Sequence, residues 1–583
     1  MNLIWKYLRP HWKLACLAPL CVLLEVWAEL EQPDLMAVIV DRGILGGEPD
    51  VVTPTGIKMV VIMIIGVVGG ILSIYAAGRV AYRFGADLRS DLYSRISRFS
   101  FSDVDRLEAP SLITRMGDDV NRVQQVIQAS MRLLFRAPFM FVGAVVMSFM
   151  IDTNVSVVLL ALMLCSFVFV IRIMRSSLPL FVDQQRKRDG FVSVVQEILV
   201  GVRVTKAYTN EDVESRKFNS VNANLLDSTI KVSRHMSFMM PFVSFALNAG
   251  IIAVIYFGAG EIEADRMKVG GIMATINYLA QIQMALMMAS HVILSITQAE
   301  ASVNRLREVL DTPTEAESDE RLRDGSTPLP YSPGDVVFDN VSFSYDGNRH
   351  QLDGVSFNLH RGETLAILGE TGSGKTTLVN LIPRYYDPSS GSISIDGKPL
   401  TSIDRRELQS KVAMVMQHSL LFSGTIRDNM RMGKPDATDD EIMAACDAAQ
   451  MGDHIRSLAD GLDHVLDQGA TNLSGGQKQR LCIARTLLTR PDVLILDDSF
   501  CSLDLLTEKK IKMELDKLTM TKIIVAQRIS SIRNANQILM LRNGQVEACG
   551  THDELMNSCE TYRETFRAQT GLSNSNSGKE ALS

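Results

Sequence analysis

Several things are missing from this chain of 583 residues. Its eight cysteines form no C-x-x-C pair and no other metal-ligand spacing, which argues against zinc ribbons and dithiol redox motifs and leaves reduced thiols in core or lipid. An excess of positive charge is absent too. The 59 Lys and Arg are outnumbered by 66 Asp and Glu, a net charge of -7, so there is no electrostatic footprint for nucleic acid. No small-residue cleavage site follows the N-terminal MNLIWKYLRPHWK and its apolar run, so this segment reads as a retained elbow and first span. Charge is thin throughout, 21% against 46% apolar, and the apolar residues gather in the first half. A chain this long exceeds one core, and the asymmetry predicts a membrane half followed by a soluble half.

What is there begins with hydrophobic cores at 14–27, 59–77, 138–151, 155–174, 239–258 and 272–296. A spanning helix needs about 20 residues, so several cores must extend into polar flanks. About sixty residues of helical periodicity separate the second core from the third, and the fourth from the fifth. Basic residues crowd these long links (Arg79, Arg83, Arg89, Arg95 and Arg98; Arg172, Arg175, Arg186, Lys187 and Arg188), which places them and the N-terminus in the cytoplasm. Two stretches, 101–120 and 201–214, interrupt the helical pattern. They read either as contact elements for the soluble half or as solvated hairpins.

Glu25, Glu29, Glu31 and Asp34 lie in or beside the first span, where charge is costly in lipid. They either face protein or a watery cavity, where cationic substrates could meet them, or solvate the outer end of the helix. Met236, Met239, Met240, Met284, Met287 and Met288 suit an adaptable pocket or ordinary packing.

A polar, Pro-rich stretch marks a boundary, giving a membrane domain at 1–311 with six spanning helices, a linker at 312–335, a nucleotide-binding domain at 336–570 and a disordered tail at 571–583. The central motif of the soluble half is LAILGETGSGKTT, an apolar strand that breaks into G-x-x-x-x-G-K-T. Gly369, Gly372 and Gly374 let successive N–H groups point at an anion, and Glu370, Thr371, Ser373 and Thr377 complete the cradle at a helix N-terminus. Lys375 is placed for terminal phosphates and Thr376 for magnesium. Tyr345, upstream, reads as a core tyrosine or as a face for a purine base. Gln417 follows the apolar run VAMVM and suits a metal-bound water. Ser474, Gly475, Gly476 and Gln477 open a helix within LSGGQ, again a phosphate-binding geometry. VLILDD ends a buried strand in two acids, with Asp497 for magnesium, and IIVAQR ends another strand at Gln527.

In this order the motifs make the entire chain resemble an ATP-binding cassette exporter half-transporter: an all-α six-helix membrane domain with long intracellular extensions, then an α/β P-loop domain. The resemblance implies ATP and Mg2+ as cofactors, a multi-pass location in the cell inner membrane and a cytoplasmic nucleotide domain. It also implies dimerisation, because in that family the LSGGQ of one subunit completes the ATP site of the other.

Two departures narrow the expectation. The family places a catalytic Glu after the Asp of LILDD, where this chain has Asp498, and a switch His where it has Gln527. Losing one methylene withdraws the carboxylate by more than about 1 Å, and misplacement on that scale can cost roughly 100-fold. Gln527 can hydrogen-bond a phosphate but cannot carry the charge of an imidazolium. Cys501 also stands where Ser is usual, while LSGGQ is intact. The combination resembles the degenerate-site subunit of heterodimeric bacterial multidrug exporters. It implies an ATPase-coupled translocase of amphiphilic compounds, paired with a homologous half-transporter subunit in the lipid bilayer. A homodimeric exporter or lipid flippase with slow hydrolysis is the alternative, and a non-transporting regulator of a membrane complex is a third reading.

Overall fold

The computed structural model describes residues 2–315 and 335–570. Most of the expected linker at 312–335, and all of the expected tail at 571–583, lie outside the described residues. The chain divides into two compact units, one of Met1–Arg95 with Pro110–Thr312, the other of Ile96–Ala109 with Pro313–Ser583.

The N-terminal half is helical. In chain order it forms α1 (Asn2–Leu8), α2 (Trp12–Val38), α3 (Pro49–Ile96), α4 (Phe101–Leu107), α5 (Ala109–Thr114), α6 (Val120–Ile151), α7 (Thr153–Val200), α8 (Val202–Ala207), α9 (Glu211–Met236), α10 (Met239–Glu263) and α11 (Val269–Asp311). Five stretches among the described residues are long and apolar enough to cross a membrane: Pro49–Ile96, Ala109–Ile151, Thr153–Val200, Glu211–Glu263 and Val269–Ala289. At 1.5 Å per residue, 48-residue helices such as α3 and α7 reach about 70 Å, more than twice a hydrocarbon core of about 30 Å. Such lengths match long extensions beyond the bilayer.

The two interrupted stretches become short helices. Ser100 accepts from the Asp103 N–H to start α4, and Glu108, at φ 58°, stops it before Pro110. Gly201 caps α7 ahead of α8, and Thr209, at φ 51°, turns the chain into α9. Tyr208, between them, is exposed.

Charges crowd α2, and the fold answers two of them. Arg136 of α6 pairs with Glu25 and, at 2.6 Å, with Glu29, while Arg132 stands 3.6 Å from Glu25. Of the settings expected for these acids, Glu25 and Glu29 therefore take the protein-facing one. Their desolvation in the membrane unit is offset by two cations one turn apart on α6.

In the second unit, an antiparallel sheet has the order β2 (Leu352–Leu359), β1 (Val336–Phe343), β4 (Ser390–Ile395), β5 (Lys398–Pro399). A larger sheet has the order β12 (Gln545–Gly550), β11 (Gln537–Arg542), β3 (Thr364–Gly369), β10 (Thr521–Val525), β9 (Val493–Asp497), β6 (Val412–Val415). Its neighbours are parallel except for the β11–β12 hairpin. A two-stranded ribbon, β7 (Gly424–Thr425) with β8 (Val465–Leu466), completes the strands. Every residue of β9 and β10 is buried, in keeping with their apolar runs Val493–Leu496 and Ile523–Val525. Helices α12 (Lys375–Leu381), α13 (Gly475–Leu488), α14 (Leu505–Asp516) and α15 (Glu560–Thr570) belong to this unit. Because β3, β10 and β9 are adjacent and parallel, their C-terminal ends open on one edge, the usual crevice for ligands in such sheets.

Candidate functional site

The loop between β3 and α12 is built by close backbone approach. A Cβ on Gly369 would collide with the Leu541 carbonyl oxygen, and Gly374 sits at φ 102° with the Gln351 carbonyl 2.7 Å from where a Cβ would be. Only glycine fits these two positions. Lys375 is buried, and its Nζ donates to the carbonyls of Gly369 at 2.8 Å and Glu370 at 2.7 Å. Burial lowers the pKa of this ammonium, against the opposing charges of Asp498 and Asp497. Glu370, Thr371, Gly372 and Thr376 are exposed at the mouth of the loop, while Ser373 and Thr377 are buried.

Thr376 Oγ1 lies 3.4 Å from Asp497 Oδ1, which joins the loop to the end of β9. Asp497 is 1% exposed, and its carboxyl is pushed up to about 6 by burial, with the charge of Asp498 adding to the effect and Thr376 and Lys375 opposing it. Asp498 follows at φ 49°, its N–H donating to the Val525 carbonyl at 3.1 Å and its carbonyl accepting from Gln479 at 3.4 Å. Gln527, just beyond β10, donates Nε2 to Asp498 Oδ2 at 2.8 Å. The Gln527 backbone is gripped from α15: Gln569 Nε2 donates to the Gln527 carbonyl at 2.7 Å, and Gln569 Oε1 accepts from the Ile529 N–H at 2.8 Å. A cavity of about 280 Å³ opens beside these groups, lined by Asp498, Cys501, Glu508, Gln527 and Ser531 among others.

Tyr345 is 48% exposed and donates its hydroxyl to Thr377 Oγ1 at 3.3 Å, so the aromatic face and the phosphate loop are held together. Gln417 is exposed, two residues past β6. Ser474 and Gln477 form a capping box at the start of α13, and the Gln477 amide stands 3.2 Å from His454 Nε2. Gly475 faces open space. Among the described residues, no hydrogen bond joins 474–477 to the loop at 369–377. The structure thus brings together the loop, Tyr345, Asp497, Asp498 and Gln527, and leaves the LSGGQ segment, of which Ser474 and Gly475 are exposed, and the exposed Gln417 as separate elements. Sequence reasoning missed Gln569, whose contact depends on how α15 folds back and leaves no local signature.

The residues present fit a nucleotide triphosphate with magnesium. Ser373 Oγ is buried without a hydrogen-bond partner among the described residues, an orphan donor inside the cradle. No group of three or more His, Cys, Asp or Glu among the described residues could hold a metal alone. One buried carboxylate and one hydroxyl instead suit Mg2+, which completes its octahedron with phosphate oxygens and water.

Residues 15–286 match the family model of the ABC transporter transmembrane region, and residues 352–500 match that of the ABC transporter. The ABC transporter ATP-binding protein YfiB of Bacillus subtilis (strain 168) is 37% identical, over 98% of this chain and 99% of its own. Rv1273c of Mycobacterium tuberculosis (strain ATCC 25618 / H37Rv), another ABC transporter ATP-binding protein, is 34% identical over 98% of each. A solved structure of a bacterial Atm1-family ABC exporter with ATP bound superposes with a TM-score of 0.78 at 25% identity, covering 97% of this chain and 99% of the other.

Proposed function

Because the chain belongs to the ABC transporter family, and is an exporter half-transporter with a multi-pass membrane domain and a cytoplasmic nucleotide-binding domain that uses ATP for transport, we propose that it works as one subunit of a heterodimer. In this reading it exports amphiphilic compounds. Its own loop binds ATP at a site impaired for hydrolysis, and its LSGGQ completes a competent site on a homologous partner.

The observation that carries this reading is the contact between Gln527 and Asp498. Asp498 is one methylene shorter than Glu, and its Oδ2 is already taken by the Gln527 amide. A general base must hold a lone pair toward the attacking water within hydrogen-bond reach. Here one carboxylate oxygen is engaged by the Gln527 donor, which lowers its basicity, and the carboxylate is retracted as well. Gln527, engaged this way, also lacks a titratable ring that could bring charge to a phosphate.

Binding is supported as strongly as hydrolysis is opposed. Lys375 would hold the terminal phosphates, with Gly369, Glu370, Thr371, Gly372, Ser373, Gly374 and Thr377 around them. Thr376, Asp497 and Gln417 would hold the magnesium shell, and Tyr345 the base. Bound Mg2+ supplies neutralisation of phosphate charge. Ser474 and Gly475, exposed, with the half-buried Gly476 and Gln477, form an intact helix N-terminus that suits phosphates presented by another subunit.

The test is turnover. Purified alone in lipid nanodiscs, the chain should bind ATP but hydrolyse it slowly. Assembled with its partner it should hydrolyse ATP briskly, and Asp498→Asn should then cost far less than neutralising the partner's base. Brisk hydrolysis by the lone chain, or equal losses in the pair, would sink the asymmetric assignment.

A further inference from the structure

Tyr345 is held by two rings at right angles to its own. Phe343 meets it at a centroid distance of 4.8 Å and 86°, and Tyr386 at 5.1 Å and 88°. Phe343 is the last residue of β1, two positions before Tyr345. Tyr386 comes from a different place: it follows α12 in the short run Arg384–Asp387, directly after the phosphate loop and its helix. That run is rigidly tied. Arg384 is buried with its backbone at φ 59°, pairs with Asp387 at 2.7 Å, and its carbonyl accepts from Arg405 at 2.6 Å.

The hydroxyl of Tyr386 is fixed as well. It donates to Asp105 Oδ2 of α4 at 2.5 Å, and burial, together with the charge of Asp105, holds the phenol protonated well above its usual range. Next door, Phe101 of α4 stacks on Tyr385 at 4.3 Å and 24°. Both α4 and the Tyr385–Tyr386 run lie in the same compact unit. Tyr345 itself is half exposed, with Phe343 and Tyr386 against its ring.

We propose that Tyr386 is a positioning residue for nucleotide base recognition: its ring fixes the plane of Tyr345, and its hydroxyl, anchored on Asp105, fixes its own. The inference rests on the reading of Tyr345 as the surface on which the adenine stacks. Without Tyr386, Tyr345 keeps Phe343 and the hydrogen bond to Thr377 but loses a right-angle contact, so its ring swings. Base stacking needs a parallel, pre-set face, whereas the phosphates bind to backbone N–H groups and Lys375 whatever Tyr345 does.

This separation gives the experiment. The full-length chain in lipid nanodiscs is titrated calorimetrically with Mg2+-ATP and with Mg2+-tripolyphosphate, which carries phosphates and no base. Tyr345→Ala should weaken ATP about tenfold and leave tripolyphosphate unchanged, given what stacking on one aromatic contributes. Tyr386→Ala, with Tyr386→Leu as a bulkier second variant, should weaken ATP about fivefold and again spare tripolyphosphate, because only part of the stacking is lost. Tyr386→Phe and Asp105→Ala remove the same hydrogen bond, so each should cost ATP about twofold and the pair no more than either alone. If both ring deletions at 386 leave the ratio of the two affinities at its wild-type value, by moving neither or both equally, the positioning role is overturned. If Tyr345→Ala leaves that ratio unchanged, the reading of Tyr345 as the base platform fails instead.

Discussion

Gln527 and Asp498 are joined by a 2.8 Å hydrogen bond between side chains that the chain brings together from the ends of adjacent strands. One variant tests what this contact does. Asp498→Glu combined with Gln527→His lengthens the carboxylate and replaces the amide donor with a ring that can accept or carry a proton. ATP turnover of the lone chain should rise by about 10- to 100-fold, the scale at which a 1 Å placement error acts. Either change alone should give less than a tenth of that, since base and switch act as a unit. Turnover unchanged in the double variant would mean that the site is limited elsewhere.

Arg136 is the cation on which Glu25 and Glu29 both depend. Arg136→Ala leaves the largely covered Glu25 with only Arg132, 3.6 Å away, and takes its cation from the partly exposed Glu29. Removing one partner of a fully buried pair costs about 3–5 kcal/mol; the exposure of Glu29 and the remaining Arg132 reduce that here, so the melting temperature in nanodiscs should fall by a few degrees. The quadruple replacement Glu25→Gln, Glu29→Gln, Arg132→Gln, Arg136→Gln should recover most of that loss, because no uncompensated charge remains in the cluster. A melting temperature for Arg136→Ala equal to wild type would show that water reaches the cluster.

The contrast between these two sites shows what a sequence can and cannot disclose. The strand, glycine turn and helix around Lys375 are contiguous, and each residue type there answers a local backbone demand, so the phosphate loop is readable one residue after another. The acids of α2 were legible as costly, but their partner Arg136 is 111 residues away from Glu25, and no periodicity links them. Tyr386 and Asp105 are separated by 281 residues. The break at 101–120 was visible through Pro110 and the acidic residues before it, yet the packing of Phe101 and Asp105 on the tyrosines was not, because side-chain pairing between residues so far apart in sequence is set by tertiary geometry. Gln569 was hidden for the same reason, being one polar residue on an otherwise ordinary amphipathic helix.

Asp497 predicts a pH dependence with a definite sign. Its carboxyl is raised from 3.8 to about 6 by burial first and by Asp498 second. Between about pH 4 and 6 the folded chain therefore holds a proton that the unfolded chain has released, so nucleotide-free stability falls as pH rises through that window and the cost is complete above it. Asp497→Asn removes the cost. Without nucleotide it should be more stable than wild type at pH 7.5, by about 2–3 kcal/mol at most, and the difference should vanish toward pH 4. Magnesium needs the ionised form, so Mg2+-ATP affinity of the wild type should decline below pH 6, while binding of ATP without the metal should not follow that titration. Calorimetry at pH 5.5 and 7.5 measures both.

Gln569 sets the last expectation, through the backbone of the switch segment. Its single amide straddles the chain, donating to the Gln527 carbonyl at 2.7 Å and accepting from the Ile529 N–H at 2.8 Å. The side chain at 527 can point at Asp498 only while that backbone is held. In the Asp498→Glu, Gln527→His background, Gln569→Ala should therefore lower kcat by roughly 5- to 10-fold with KM unchanged, the signature of a geometry needed in the transition state rather than for binding. Gln569→Glu keeps the acceptor for Ile529 and loses the donor, so its kcat should fall between the two. Residue 569 is exposed, and stability should move by less than about 1 kcal/mol, which separates this effect from general loosening. An unchanged kcat in Gln569→Ala would release α15 from any part in positioning the switch.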